Sequence, residues 1–158
     1  MGTHYHGTPR ETRALDTFIR LMRAADSVYA NLHRHLGEIG LTHGQLAILE
    51  ALLHLGPMSQ QQLATKIMRS GSNVTTVLDN LEKQTLVRRI RRSDDRRVVN
   101  VSLTPKGRRH IAERFPLHAR RITELFAALD PKEQTQLGEL CRKLGRSIRT
   151  DQAKDRAG

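Results

Sequence analysis

The stretch Ser59–Gly107, SQQQLATKIMRSGSNVTTVLDNLEKQTLVRRIRRSDDRRVVNVSLTPKG, decides how this 158-residue chain folds. Ser59 and Gln62 stand at the spacing of a capping box, which starts a helix by satisfying its free amide groups. The interval at residues 69–71 has the length of the turn that joins two helices in a helix-turn-helix. Apolar residues at steps of three and four then predict a second helix, and they are Val74, Val77, Leu78 and Leu81.

The outward face of this second helix is polar and carries its charges late. Its members are Ser72, Asn73, Thr75, Thr76, Asp79, Asn80 and Lys83. Short hydrogen-bonding side chains at a helix start can approach base edges in a major groove, while the amide groups meet a phosphate. Any solvated helix also has a polar face, so this pattern leaves both interpretations open until the following segment is considered.

The segment after the second helix predicts a hairpin of two strands with an excess of arginine. Residues 88–97 hold six arginines and two aspartates, with a turn at residues 93–97. Val99, Val101 and Leu103 then alternate with polar residues, which is the period of a half-buried strand. Charges on an edge hairpin discourage aggregation, but an exposed arginine at the tip could also enter a narrow minor groove. The order of elements predicts a winged helix-turn-helix that binds duplex DNA.

Composition agrees with a polyanionic partner and excludes several other classes. The chain has 27 Lys and Arg against 16 Asp and Glu, a formal charge of +11, which favours phosphate binding through counterion release. Three Phe, two Tyr and no Trp disfavour a module that stacks unpaired bases. One cysteine and the absence of a signal or membrane segment predict a cytoplasmic protein that does not enter a membrane. No nucleophile, phosphate-loop or metal-ligand spacing is found, so we expect no catalytic residue, no metal and no cofactor.

Long amphipathic helices flank the predicted lobe on both sides. We expect one domain over residues 1–158, with a winged helix-turn-helix lobe at 41–104 and dimerisation helices at 8–40 and 105–150. The fold class is mainly α with a small two-stranded β-wing. The apolar faces of the outer helices predict a homodimer, which would read a pseudo-palindromic site. Cys141 falls on the apolar stripe of the last helix, where we expect a buried thiol.

The chain resembles the MarR family of bacterial transcriptional regulators. The resemblance is carried by Asp95-Arg96-Arg97, then Val101-Ser102-Leu103-Thr104 and Gly107, in the wing. It extends to Leu41-Thr42 with Gln45 and Leu49, to Val74-Thr75, and to Leu78-Asp79 with Leu81-Glu82-Lys83. The resemblance implies a homodimer that represses genes from a double-stranded operator and is released by a small-molecule effector. The family usually has Gly at the position of Thr85, so we expect the second helix to end differently here.

The resemblance and the charge pattern together define the DNA-binding residues that we expect. Arg97 falls at the minor-groove position of the family, and Asp95 where a carboxylate orients the wing. The base-facing part of the second helix and the phosphate contacts supply the rest. The full set is Ser59, Gln60, Gln61, Ser70, Ser72, Asn73, Thr75, Thr76, Asn80, Arg88, Arg89, Arg91, Arg92, Asp95, Arg96 and Arg97.

The effector is less well defined by the sequence. The opening helix and the segment at residues 40–57 resemble the branch of the family associated with quinone and phenolic stress, which implies a phenolic or quinone-like effector. Met22, Tyr29, His33 and Met58 are the residues that could line its pocket. The alternative is an architectural or nucleoid-type DNA-binding protein that has no effector.

Overall fold

The computed structural model describes residues 2–67, 73–91 and 99–155, without the side chains of Ile67, Arg91 and residues 148–155. Within these ranges the chain forms six helices and three short strands. The helices are α1 (Pro9–Glu38), α2 (His43–Leu55), α3 (Gln60–Ile67), α4 (Val74–Lys83), α5 (Pro105–Leu125) and α6 (Pro131–Asp155). The strands are β1 (Met58–Ser59), β2 (Val87–Arg91) and β3 (Val99–Leu103).

Capping boxes start the first three helices, and the sequence predicts the one that Ser59 and Gln62 form at α3. Thr8 with Glu11 and Thr42 with Gln45 form complete capping boxes at α1 and α2. Ser59 Oγ accepts from the Gln62 amide at 3.1 Å, and the Gln62 side chain accepts from the Ser59 amide at 2.8 Å, which completes the third box. Each pair satisfies two amide groups that the first helical turn leaves without partners. The helix starts were therefore readable from local sequence.

The sheet has one strand more than the two-stranded wing that the sequence predicts. Its order is β1-β3-β2 with antiparallel pairing throughout, and β1 pairs Met58 with Val101 and Ser59 with Asn100. Two residues are too few to show the alternation by which strands are recognised. The partner strand lies about forty residues further along the chain, so only the tertiary fold brings β1 into the sheet.

A leucine-rich core joins the lobe to α1 and α5. Ile48, Leu49 and Leu63 are fully buried, as are Leu78 and Leu81 of α4. Leu36 of α1, Ile111 of α5 and Val101 of β3 pack into the same cluster. Burial of these faces confirms the inward set that the sequence predicts for α4 and leaves its polar face exposed.

Thr85, just after α4, and Gly107 of α5 form the corner at which the chain enters the wing. Thr85 adopts a φ of 59°, in the left-handed region, so the helix ends in the backbone conformation usual for glycine. The expectation of a different ending was wrong, and the fold accepts the strain of a β-branched residue there. Gly107 lies against this corner, because a Cβ on it would lie 1.8 Å from the Leu86 carbonyl oxygen.

Contacts divide the chain into two compact units, Met1–Arg121 and Ile122–Gly158. The single-domain boundaries expected from the sequence remain a prediction. The second unit contains α6, which Asp130 caps by accepting from the amides of Lys132 and Glu133 at 2.7 and 2.9 Å. Cys141 on α6 is exposed in this chain, so the buried thiol expected from the apolar stripe is not observed. None of the described helices is long and apolar enough to cross a membrane.

Candidate nucleic-acid interface

The start of α4 presents polar side chains to solvent. Asn73 caps the helix, and its Oδ1 accepts from the Thr75 amide at 3.0 Å. Thr75, Thr76 and Asn80 are exposed. Since Val77 and Leu78 anchor the other face in or against the core, this polar face is held outward by hydrophobic burial. Asn73 thus has a capping role, which its position before an apolar helical pattern could have signalled.

The start of α3 lies beside the start of α4. Gln60 Nε2 donates to Thr75 Oγ1 at 3.1 Å, which links two of the predicted contact groups across the helix-turn-helix. Ser59, Gln60, Gln61, Asn73 and Thr75 line one groove of about 630 Å³, together with Ala64, Val74 and Val99. Residues from the start of α3 and from the start of α4 therefore form a single groove.

The two neighbouring arginines of β2 have different surroundings. Arg88 is exposed, and its Nε donates to Ser102 Oγ on β3 at 3.1 Å. Arg89 is directed at α4, where its Nη2 lies 2.6 Å from Asp79 Oδ1 and its Nη1 lies 3.4 Å from Glu82 Oε2. The sequence pattern places Asp79 on a solvated face and Glu82 in a family motif, and it does not indicate an arginine partner for either residue. The surroundings of Arg89 do not favour the phosphate contact expected for it.

Part of the predicted DNA surface lies outside the described residues. Ser70, Ser72, Arg92, Asp95, Arg96 and Arg97 belong to this group, and only the backbone of Arg91 is described. The DNA contacts of the whole set remain predictions. Of the described residues of the set, five line the groove of α3 and α4, Thr76 and Asn80 are exposed on α4, and Arg88 and Arg89 lie on β2.

A second cavity lies between α1 and the start of α2. Its volume is about 290 Å³, and Tyr29, His33 and His43 contribute to its lining. The rings of Tyr29 and His43 stack with centroids 4.5 Å apart, and His33 lies 6.2 Å from His43 by the same measure. Of the other pocket residues expected from the sequence, Met22 is exposed on α1, and Met58 packs on the core from β1.

Burial and neighbouring histidines lower the pKa of two imidazoles, His43 and His118. Burial lowers the pKa of His43, and His33 adds to the effect. Burial likewise lowers the pKa of His118 on α5, with further contributions from His35 and His43. His35 and His118 stack at 5.9 Å, so α1 and α5 meet through a pair of rings. The described residues contain no group of three His, Cys, Asp or Glu arranged to hold a metal ion.

The helix-turn-helix buries the apolar face of α4 in the core and exposes its polar face, and a basic hairpin follows it. This arrangement defines a winged-helix DNA-binding protein. The chain belongs to the MarR family, whose profile matches residues 41–99. It is 35% identical over 133 residues to the HTH-type transcriptional regulator YkoM of Bacillus subtilis strain 168, covering 84% of this chain and 86% of YkoM. It is 33% identical to the regulator MhqR of the same strain, covering 84% of this chain and 92% of MhqR.

Solved structures show the same fold. BpsR of Bordetella bronchiseptica, described with regulation of its DNA binding by 6-hydroxynicotinic acid, has a TM-score of 0.70 and 26% identity. The match covers 82% of this chain and 98% of BpsR. NadR in complex with 4-hydroxyphenylacetate has a TM-score of 0.65 and 25% identity, covering 91% of this chain and 97% of NadR. The protein is therefore a MarR-family transcriptional regulator, and its relatives are regulators rather than enzymes.

Proposed function

We propose that this protein is a repressor that binds a pseudo-palindromic double-stranded operator as a homodimer and leaves it when a small hydroxyaromatic effector binds. The observation that carries the proposal is the polar groove of α3 and α4, where Gln60 and Thr75 meet at 3.1 Å beside a basic strand. The formal charge of +11 supports a polyanionic partner.

In this proposal α4 enters the major groove from its N-terminal end. Thr75, Thr76 and Asn80 are exposed there and are of the types that hydrogen-bond to base edges. Ser59, Gln60 and Gln61 contact phosphate at the start of α3. Arg97 reaches the minor groove, with Asp95 orienting the wing, as the family resemblance implies.

The exposed apolar faces of the outer helices support the homodimer. On α1, Phe18 and Tyr29 are more than half exposed, and on α6 the same is true of Leu140. Large apolar side chains in such rows indicate a surface that another chain covers. Homodimers are also typical of this family. A two-fold dimer would present two copies of α4, which is the reason to expect a pseudo-palindromic operator.

The stacked cavity of α1 and α2 supports the effector. The ligands named with BpsR and NadR are both single aromatic rings that carry a hydroxyl and a carboxyl group. A cavity of about 290 Å³ is near the lower limit for small-ligand sites and suits a single ring. Because the pKa of His43 is lowered, a neutral imidazole is available there to accept from a phenolic hydroxyl.

Footprinting with promoter DNA and a competition assay against random duplex test the DNA-binding part. We expect a protected palindrome and an operator preference of at least roughly a thousandfold. Arg97→Ala should weaken operator binding while leaving the dimer and its melting temperature nearly unchanged. Binding that weakens uniformly with salt and shows no preferred site would instead identify an architectural DNA-binding protein without an effector.

A paired titration tests the effector. We expect 4-hydroxyphenylacetate to raise the melting temperature and release the operator, whereas phenylacetate, which lacks the hydroxyl, should do so much less. His33→Ala and His43→Ala should abolish the difference. If both compounds act equally on the wild type and on both variants, this cavity is not the effector site.

A further inference from the structure

Arg88 and Arg89 form a natural comparison, because adjacent residues of a strand point to opposite faces. In the pairing of β2 with β3, Arg88 lies opposite Ser102 and Arg89 opposite Val101. Arg88 is exposed, and its Nε donates a hydrogen bond to Ser102 Oγ. Arg89 is 22% exposed and turned toward α4. Two identical side chains, one residue apart, therefore face different partners.

Arg89 contacts three positions on one side of α4. Its Nη2 donates to Asp79 Oδ1 at 2.6 Å and to the Thr75 carbonyl oxygen at 3.2 Å. Its Nη1 lies 3.4 Å from Glu82 Oε2, and its backbone amide donates to Glu82 Oε1 at 3.1 Å. Thr75, Asp79 and Glu82 recur at steps of four and three, which places them on one face of the helix.

These contacts leave Arg89 poorly suited to a phosphate. Its positive charge already faces two carboxylates, so the cluster of Arg89, Asp79 and Glu82 is net negative. A phosphate approaching this cluster would meet repulsion rather than a free cation. Several donors of the guanidinium are also engaged on α4, one of them at the carbonyl of Thr75, a predicted base-contacting residue.

We infer that Arg89 is a positioning residue for operator recognition, which holds the start of α4 in register with the wing. This inference rests on the proposed reading of DNA by α4. The Arg89 side chain joins a strand of the wing to the helix that carries Thr75 and Thr76, so it sets how these two parts meet adjacent grooves. Asp79 and Glu82 serve as its anchors on the helix.

The test compares Arg89 with Arg88 in the full-length protein. Affinity for operator and random duplexes is measured by fluorescence anisotropy over a salt series, for wild type, Arg89→Gln and Arg88→Gln. Arg89→Gln should lower the operator-to-random affinity ratio by about tenfold. It should leave the slope of log affinity against log salt unchanged, because no phosphate contact is lost. Arg88→Gln should weaken both duplexes alike and reduce the slope by about 1.8, which is about 0.9 for each of the two copies in the dimer.

Arg89→Lys gives a second, charge-preserving comparison. A lysine would still serve as a phosphate contact, but it cannot bridge the two carboxylates and the Thr75 carbonyl as the planar guanidinium does. We expect Arg89→Lys to lose operator preference almost as fully as Arg89→Gln. Far-UV circular dichroism and melting curves confirm that each variant is folded before it is compared.

Two results would overturn the inference. One is a slope reduced by about 1.8 for Arg89→Gln, as for two lost phosphate contacts per dimer, with equal weakening on both duplexes. The other is wild-type operator preference retained in Arg89→Lys. If wild type itself shows no preferred duplex, the proposed function fails. Arg89 is then judged by the salt slope of Arg89→Gln alone, where an unchanged slope supports a non-contacting role and a reduced slope contradicts it.

Discussion

The lobe around α2–α4 and the last helix, α6, differ in the solvent exposure of their leucines. In the lobe, Leu49, Leu63 and Leu78 have no exposed surface. On α6, Leu137, Leu140 and Leu144 are 38–56% exposed. Both regions have apolar residues at helical spacing, so sequence periodicity alone does not separate them.

The lobe covers its own apolar surface within the chain, whereas α6 leaves its apolar stripe exposed. Burying a leucine removes its apolar area from water within the chain. The exposed apolar stripe of α6 gains the same stabilisation only when another surface packs against it. Substitutions in the lobe should therefore act on the stability of the chain, and substitutions on α6 should act on association.

Leu49→Ala should cause the largest effect, since it opens a cavity in a side-chain cluster with no access to water. We expect a loss of about 3–5 kcal/mol in the free energy of unfolding. Leu140→Ala on α6 is the matched control and should shift the monomer–dimer equilibrium toward monomer. Denaturant titration and sedimentation velocity at several concentrations measure the two effects. Equal losses of unfolding free energy, with no change in association, would remove the distinction between the regions.

A glycine pair repeats the comparison at the backbone. Gly107→Ala places a methyl group 1.8 Å from the Leu86 carbonyl oxygen, so the backbone must move. We expect it to cost about 3 kcal/mol. Gly138 of α6 has nothing within 4 Å of the position of a Cβ, and Gly138→Ala should stabilise by up to about 1 kcal/mol through helix propensity. Thermal melts measure both changes in stability. A Gly107→Ala variant that is as stable as the wild type would show that the corner at Leu86 is loosely packed.

The strained backbone at Thr85 is a position where a substitution should stabilise the lobe. Its φ of 59° is costly for a β-branched side chain, and glycine would remove that cost. We expect Thr85→Gly to stabilise by about 1 kcal/mol, less the hydrogen bond that Lys106 Nζ donates to Thr85 Oγ1. Chemical denaturation measures the change. A destabilised variant would mean that the Lys106 contact outweighs the backbone strain.

Acidification should lower the stability of the unit Met1–Arg121 through its histidines. We expect this effect to be smaller, per residue, than those of the substitutions above. The pKa of His118 is lowered first by burial and then by His35 and His43, so the folded chain binds this proton less readily than the unfolded chain. The stability that depends on a neutral His118 is fully present above about pH 6.5, the pKa of an unperturbed histidine. It is lost as the pH falls through the lower pKa that His118 has in the folded chain.

Melting temperatures between pH 7.5 and pH 5 measure this dependence. His118→Asn should show a shallower fall on acidification than wild type. His4→Asn, in the exposed N-terminal segment, serves as the control and should follow the wild type. The same slope in all three proteins would exclude His118 as a source of the acid sensitivity.

Much of the candidate site could be predicted from local sequence. The exposed positions of Asn73, Thr75 and Thr76 follow from the apolar spacing of α4 and are found as expected. What sequence reasoning could not predict depends on residues far apart in the chain. Arg89 looks identical to Arg88 in a basic run, and only the packing of β2 on α4 gives it Asp79 and Glu82 as partners.

The sequence by itself determined the order of the helices and of the two wing strands, the capping box of α3 and the family. These features depend on residues within one or two turns of each other, where hydrogen-bonding and apolar periodicity act directly. Only the tertiary structure decided that β1 joins the sheet, that Thr85 accepts a left-handed backbone and that Tyr29 stacks on His43. In each of these cases a local preference is weak or unfavourable, and contacts made by packing outweigh it.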